Sequence, residues 1–263
     1  MRVDTWAESH IGLVRKTNQD AVGCFPEAHL FIVADGMGGR AEGGVASALA
    51  VDTLRAQFVP LAAGSARPTR WWSLRSLGPA AAAPLEAPLQ RAIEAANERI
   101  YIAGLEHLSA DSSLRGSMGT TVVTLCFDSE QRRAHWAHVG DSRLYRVRDH
   151  RVALLTADHT MPGEPYWGHP DIPLELPHTN RLVRALGIAP AVQVTTGVDG
   201  LQAGDLYLLC SDGVSGMVPP DALRSALLSG DAIDVMGGSL IRRALDGGGR
   251  DNASALLVHV HED

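Results

Sequence analysis

Residues Leu30 to Gly39 read LFIVADGMGG. The apolar residues 31–34 predict a buried strand, which ends on the carboxylate of Asp35. The glycine-rich turn that follows has little side-chain bulk, so an ion or a phosphate group could approach the carboxylate closely. Residues 41–58 then take up a helical periodicity. Because Asp-Gly is also common in ordinary turns, Asp35 and Gly36 become informative only through the recurrence of this pattern elsewhere.

The bulk composition is that of a globular protein. The 263 residues are 45% hydrophobic and 20% charged, which is enough for a large core, and no break in composition divides them. We therefore expect one domain over residues 1–263. The formal charge of −7 argues against a surface for nucleic acid or acidic membranes. The N-terminus has no apolar signal region and no run is long enough to span a membrane, which predicts a cytoplasmic protein with reduced cysteines.

The remaining chain alternates predicted strands, helices and two irregular segments. A strand at 3–8, a hairpin of 21–25 with 32–35, and helices at 41–58 and 85–108 come first. Consecutive antiparallel strands are expected at 118–127, 132–140, 142–149 and 151–158, and further strands at 192–201, 205–214 and 253–261. Two helices at 219–229 and 232–245 precede the last strand. Residues 60–84, with Trp71 and Trp72, predict a surface insertion, and residues 159–181 a functional loop.

Five aspartates lie where predicted strands meet loops: Asp20, Asp35, Asp141, Asp212 and Asp251. Carboxylate oxygens without a histidine or cysteine cluster are typical ligands of Mg²⁺ or Mn²⁺. Carboxylates crowded together repel one another, so a cluster of them requires metal. Two such ions can activate water and hold a phosphoryl group.

The same residues admit simpler interpretations. Asp20 and Asp141 could be hydrogen-bonded turn residues. Arg15 has the planar geometry that suits a phosphate group, but it could also be a surface charge. Asp158 is interpreted as a turn or capping residue, and the histidines 10, 138 and 159 as structural.

Eight motifs in this order carry a family resemblance: RKTNQD (15–20), FIVADGMGG (31–39), MGTT (118–121), AHVGDSRLYR (137–146), LTADHT (155–160), LVRALG (182–187), LLCSDGV (208–214) and GGRDNASALLV (248–258). The sequence resembles the metal-dependent serine/threonine protein phosphatases of type 2C in their bacterial form. The resemblance implies an α+β fold, a four-layer α-β-β-α sandwich with two central antiparallel sheets. It also makes 159–181 the family's flap.

The resemblance assigns the metal ligands position by position. Asp35 would bridge two divalent ions, Mn²⁺ or Mg²⁺, and the carbonyl of Gly36 would bind the first. Asp212 and Asp251 would bind the second, and Asp20 would support it directly or through water. Asp35, Asp212 and Asp251 are therefore the expected catalytic residues.

Other positions complete the implied site. Asp141 matches the aspartate that helps to hold a third, weaker metal in bacterial members. Arg15 matches the residue that binds substrate phosphate, and Asn252 an asparagine that supports the ligands. Met37 stands where animal enzymes carry a histidine proposed as general acid, so this sequence cannot use that group.

The implied reaction is hydrolysis of phosphoserine or phosphothreonine in proteins by a hydroxide that bridges the two metals, without a phosphoenzyme. The expected partners are phosphorylated proteins, among them a bacterial Ser/Thr kinase and its substrates, with type VI secretion as one setting. Two alternatives are a non-catalytic phosphoprotein-binding module of the same fold and a phosphoesterase of small molecules.

Overall fold

A computed structural model describes residues 1–38, 42–59, 85–110, 118–161 and 182–261. Its strands are β1 (Val3–His10), β2 (Asp20–Phe25), β3 (Leu30–Met37), β4 (Gly119–Thr120), β5 (Val122–Asp128), β6 (Arg133–Val139), β7 (Arg143–Arg148), β8 (Arg151–Leu154), β9 (Thr195–Gly200), β10 (Leu206–Cys210) and β11 (Ala253–Val260). Its helices are α1 (Glu42–Phe58), α2 (Glu86–Ala110), α3 (Asp212–Ser215), α4 (Pro220–Leu227) and α5 (Ile233–Asp246). A single 3₁₀ turn, Pro26–Ala28, joins β2 to β3.

The strands form two antiparallel sheets, as predicted. The first has the order β1-β11-β10-β7-β8, and the second the order β2-β3-β5-β6-β9 with β4 paired to β3. The predicted hairpin of β2 and β3 is present and places Asp20 opposite Asp35. The described residues therefore confirm the α+β class.

Three apolar clusters separate four layers. Along β3, Leu30, Ile32 and Ala34 pack with α1 and α2, whereas Phe31 and Val33 point to the opposite face and pack with the first sheet. The other face of the first sheet packs against α4 and α5. Because β3 is covered on both faces, it is apolar throughout rather than alternating. The predicted α-β-β-α sandwich is thus confirmed.

One element of the sequence prediction needs correction. Strands β5 and β6 pair, and β7 and β8 pair, but β6 and β7 belong to different sheets. The chain crosses from the second sheet to the first through residues 140–142. The loop at 11–19 makes the opposite crossing, from β1 to β2. Both crossings lie at the same end of the sandwich.

Some predicted features lie outside the described residues. They are the insertion at 60–84 with its two tryptophans, and residues 162–181 of the flap. The predicted helices and the terminal strand agree with the structure within a few residues, but the short helix α3 was not predicted. None of the described helices is long and apolar enough to cross a membrane.

Candidate metal centre

The five predicted aspartates come from both sheets and meet at one end of the sandwich. Asp20 and Asp35 are the last pair of the β2–β3 ladder in the second sheet. Asp141 lies in the crossing between β6 and β7. Asp212 follows β10 as the first residue of α3, and Asp251 lies two residues before β11. The fold therefore gathers all five carboxyls, as the strand-end positions suggested.

Two glycines allow this close assembly. A β-carbon on Gly36 would overlap the backbone of Gly43 in the first turn of α1 and the carbonyl of Gln19. A β-carbon on Gly213 would overlap the carbonyl of Asn252. Any side chain at either position would therefore push apart the segments that carry the carboxylates.

Hydroxyl groups fix the backbone of Asp35. Its N–H donates to Oγ1 of Thr121 at 3.0 Å, and its carbonyl accepts from the N–H of Thr121 and from Oγ1 of Thr120, both at 2.8 Å. Oγ1 of Thr121 lies 2.7 Å from Oγ of Ser142, next to Asp141. The two threonines therefore anchor the strand end that carries Asp35.

The carboxyls raise one another's pKa. Burial and then the charges of Asp20, Asp212 and Asp141 raise the pKa of Asp35 well above its ordinary value, and its carboxyl is hydrogen-bonded to that of Asp212. Burial raises the pKa of Asp141 to about 7, with the charge of Asp212 as the next cause. Such a cluster is electrostatically unfavourable when ionised, and bound cations would relieve it.

Asp20 has one satisfied and one unsatisfied oxygen. Its Oδ2 accepts hydrogen bonds from Oγ of Ser211 at 2.8 Å and from Oγ of Ser254 at 2.6 Å. Its Oδ1 is buried and has no hydrogen-bond partner among the described residues. Burial raises the pKa of Asp20 to about 6 although the two serine hydroxyls oppose the shift. The unpartnered oxygen is the kind of atom that a metal ion would satisfy.

Asn252 ties the loop at 11–19 to the start of β11. Its Oδ1 accepts from the N–H of Gln19 at 2.8 Å, and its Nδ2 donates to the carbonyls of Ile11 and Thr17 at 2.9 and 3.0 Å. All of its amide groups are used within the protein, so it supports the site without facing it. This arrangement agrees with the supporting role implied for Asn252.

Arg15 lies on the same loop, and Nη2 of its half-exposed side chain is 2.5 Å from Oδ2 of Asp251. Oδ1 of Asp251 accepts from the N–H of Asn252. The residue expected to bind phosphate is thus paired with a residue expected to bind metal. Within the described residues, no three acidic, histidine or cysteine side chains already have the spacing of ligands to one ion.

The donor chemistry nevertheless fits hard divalent cations. The five aspartates that converge here offer carboxylate oxygens, and Oδ1 of Asp20 lacks a hydrogen-bond partner among the described residues. The three free cysteines belong to strands β2, β5 and β10, and burial raises the pKa of each thiol. Oxygen-only ligands suit Mg²⁺ and Mn²⁺ rather than zinc.

A buried ion pair below Asp141 was missed by the sequence prediction. Nε and Nη2 of Arg143 donate to the two carboxylate oxygens of Asp158 at 2.9 and 2.7 Å, and Nη1 donates to the hydroxyl of Tyr145. Asp158 is therefore one half of a bidentate ion pair, a role that its interpretation as a turn or capping residue did not include. The only sequence signal was that both residues lie in motifs of the resemblance.

His159 binds the crossing that carries Asp141. The N–H of Gly140 donates to Nδ1 of His159 at 3.1 Å, and the N–H of His159 donates back to the carbonyl of Gly140 at 3.0 Å. The ring stacks on His138, with centroids 4.3 Å apart. Burial lowers the pKa of His159 to about 2 and that of His138 to about 4, so both are neutral. The structural role predicted for these two histidines agrees with these contacts.

The two described ends of the flap are joined. Thr160 and Leu182 form a β-bridge, and the N–H of Val183 donates to the carbonyl of His159 at 2.8 Å. The predicted flap thus begins and ends at one neck, which is attached through His159 to the crossing at Gly140.

Comparison with known proteins identifies the family. The model of the family described as Protein phosphatase 2C matches residues 9–229. The serine/threonine phosphatase stp of Listeria monocytogenes is 33% identical over 253 residues, which cover 94% of this chain and 92% of that protein. The chain belongs to the protein phosphatase 2C family.

Two solved structures are similar over nearly the whole chain. PppA, described as a key regulatory component of the type VI secretion system in Pseudomonas aeruginosa, is 31% identical with a TM-score of 0.77, covering 99% of this chain and 98% of its own. The catalytic domain of the serine/threonine protein phosphatase PstP, in complex with two manganese ions, is 30% identical with a TM-score of 0.76, covering 99% of both chains.

Proposed function

We propose that this protein hydrolyses phosphoserine and phosphothreonine in proteins, with two divalent metal ions, Mn²⁺ or Mg²⁺, held at the convergence of its aspartates. The observation that carries the proposal is the buried carboxyl of Asp35, whose pKa is raised by burial and by the charges of three other aspartates. Such a cluster is suited to bind cations. A phosphatase in complex with two manganese ions, similar over 99% of its chain, supports the same conclusion.

Each residue has a distinct part in this proposal. Asp35, near the end of β3, would contact both ions, with the carbonyl of Gly36 beside it. Asp212 and Asp251 would hold the second ion from the first sheet, and Asp20 would hold it from the second. When bound, the ions supply Lewis-acid activation of the attacking water and neutralise charge on the phosphoryl group.

Two further residues extend the proposed site. Asp141 would contribute to a third, weaker metal position, and Thr121 and Ser142 hold its crossing next to Asp35. Arg15 would exchange its contact with Asp251 for the phosphate of the substrate, because a guanidinium pairs well with two phosphate oxygens. Met37 has no proton to donate to the leaving group.

A covalent route through cysteine is not supported. Burial raises the pKa of Cys126 and of Cys210 to about 12, so neither forms a thiolate near neutral pH. These two thiols are therefore poor candidates for a covalent nucleophile, in agreement with the proposed direct attack by water.

The physiological setting is a narrower proposal. We propose that the protein acts in the cytoplasm on phosphorylated proteins and opposes a bacterial Ser/Thr kinase. The similarity to PppA supports a type VI secretion system as the setting. Quantitative phosphoproteomics of a deletion strain would test this: phosphothreonine on components of such a system should increase, and unchanged phosphorylation would contradict it.

The first experiment measures release of phosphate from a phosphothreonine peptide and from an aryl phosphate. We expect release with Mn²⁺ or Mg²⁺, none with chelator, and a loss of roughly 100-fold or more in Asp35→Asn. Asp231→Asn, an exposed change in the connection between α4 and α5, is the matched control and should retain activity. Activity on the aryl phosphate alone would favour a small-molecule phosphoesterase. Binding of the peptide without turnover would favour the non-catalytic module.

A further inference from the structure

We infer that Ser254, with Ser9 and Asn18 behind it, positions Asp20 for metal binding by a one-way chain of hydrogen bonds. The inference rests on the proposed metal site and concerns residues to which no role in it has been assigned. All three lie near the crossing from β1 to β2. Ser254 is fully buried in β11.

Three short contacts link these residues to the carboxylate. Nδ2 of Asn18 lies 2.7 Å from Oγ of Ser9, which lies 2.7 Å from Oγ of Ser254. Oγ of Ser254 lies 2.6 Å from Oδ2 of Asp20. Oδ1 of Asn18 also accepts from the N–H of Asp20 at 3.2 Å, which closes the chain into a ring.

The chemistry of the groups fixes the direction of the chain. A carboxylate only accepts, and a serine hydroxyl has one hydrogen, so Ser254 donates to Asp20. Ser254 has two acceptors within reach of its one hydrogen, Oγ of Ser9 and Oδ2 of Asp20, and the charged oxygen is the stronger of the two. With that hydrogen on Asp20, the contact with Ser9 is completed by the hydrogen of Ser9, which itself accepts from the amide of Asn18. Every hydrogen in the chain points toward the carboxylate, and successive bonds of this kind strengthen one another.

A second donor reaches the same oxygen from the other side. Oγ of Ser211 donates to Oδ2 of Asp20 at 2.8 Å and accepts from the N–H of Ser254 at 3.0 Å. Two hydroxyls therefore occupy Oδ2, while Oδ1 is buried without a hydrogen-bond partner. This asymmetry holds the carboxylate in one orientation and reserves Oδ1 for a cation. Asp20 is thus arranged to bind the ion directly through Oδ1, because the two serines occupy Oδ2.

The test is Mn²⁺ affinity without substrate, measured by isothermal titration calorimetry on the full chain. Loss of a group that orients a metal ligand weakens affinity by about 10–100-fold. We expect about tenfold weakening in Ser254→Ala, a smaller weakening of about threefold in Ser9→Ala, and affinity within about threefold of wild type in Ser254→Thr, which keeps the hydroxyl. Thr124→Val removes a buried strand hydroxyl remote from the aspartates and is the matched control, expected to bind as wild type does.

The outcomes separate the inference from the function. If wild type binds Mn²⁺ and Ser254→Ala binds it equally well, the inference is wrong, but the proposed phosphatase function is not affected. If wild type itself binds no Mn²⁺, the proposed metal centre fails. Equal weakening in Thr124→Val would also overturn the inference, because the effect would then be a general loss of packing. Should Ser254→Ala not fold, Ser9→Ala decides: unchanged affinity there contradicts the chain.

Discussion

Nη2 of Arg15 lies 2.5 Å from Oδ2 of Asp251. The proposed phosphate-binding residue therefore contacts a proposed metal ligand directly. The hydrogen bond to Asp251 is the main cause of the raised pKa of Arg15, burial opposes it, and the charge of Asp251 raises the pKa further. A guanidinium and a metal ion therefore compete for the same carboxylate until phosphate offers the guanidinium another anion. Substrate and metal would thus assist each other's binding.

The first prediction concerns this competition. We expect Arg15→Ala to raise the KM for a phosphothreonine peptide about tenfold, because a charge-assisted contact to phosphate is lost. The same change should leave Mn²⁺ affinity equal or higher, because a competing cation is removed from Asp251. Steady-state kinetics and calorimetry measure the two effects. Arg15→Lys should be intermediate, since an ammonium group lacks the planar fork, and an unchanged KM in both variants would refute the phosphate role.

The second prediction concerns the metal-free protein. The pKa of Asp35 is raised in the folded state, so its contribution to stability is largest at low pH and is lost as the pH rises toward the raised value. Asp35→Asn removes this unfavourable charge. In chelator at pH 8 we expect its Tm to exceed that of wild type by about 2–4 °C.

Thermal unfolding in EDTA measures the difference. With excess Mn²⁺ the wild type should have the higher Tm, because only wild type gains stability from the ion. An equal or lower Tm for Asp35→Asn in chelator would show that repulsion in the cluster is not significant.

The third prediction concerns acid sensitivity. His159 is neutral when folded, with its pKa lowered to about 2 from the ordinary 6.5. Its contribution to stability is therefore complete above pH 6.5 and is lost as the pH falls below that value. At pH 5 the loss is about 2 kcal/mol, from about 1.4 kcal/mol per pH unit.

His159→Asn keeps an acceptor for the N–H of Gly140 and does not titrate. Urea unfolding of both proteins at pH 7.5 and pH 5 should show a smaller loss in the variant by about that amount. Titration of Asp20 and Asp141 is common to both proteins and cancels in the difference. The same loss in both would mean that His159 is protonated without penalty.

The fourth prediction concerns the buried ion pair. Asp158→Ala leaves the guanidinium of Arg143 buried with Tyr145 as its remaining side-chain partner among those described above, and we expect destabilisation of about 3–5 kcal/mol. Adding Arg143→Met should recover part of this loss, because an apolar pair needs no charge compensation. Urea unfolding at fixed Mn²⁺ concentration gives both values.

Asp221→Ala removes a partner of the exposed pair Arg224–Asp221 and serves as the control, with an expected effect within about 0.5 kcal/mol. If the double variant were no more stable than Asp158→Ala alone, the loss would come from packing at Asp158 and not from an unpaired charge.

The sequence was informative where a local pattern decides the outcome. An unbroken apolar run ending in Asp35 predicts a strand covered on both faces, and a short connection after β2 predicts the hairpin that pairs Asp20 with Asp35. The strand-end aspartates meet because strand ends of a two-sheet sandwich lie at common edges.

Other features could not be predicted because no local pattern encodes them. Strand β6 is largely buried and β7 is buried over its first three residues, so their patterns do not show whether they belong to one sheet or to two. The pair Arg143–Asp158 and the contact of Ser254 with Asp20 depend on residues brought together only by the fold. In the sequence alone, a small polar residue within a strand looks the same whether it supports a metal ligand or only packs in the core. Helix α3 has four residues, too few to show a helical period.

The order of strands has a consequence for synthesis of the protein. Strand β11 lies between β1 and β10, and Ser254 on it contacts Asp20, 234 residues earlier. While β11 is still inside the ribosome, the nascent chain lacks the strand that pairs with β1, and Asp251 is not yet available to the site. Contacts of such long range form late in folding. The phosphatase centre would therefore come into existence only after β11 has left the ribosome, and chains that stop before β11 would be inactive toward phosphoproteins.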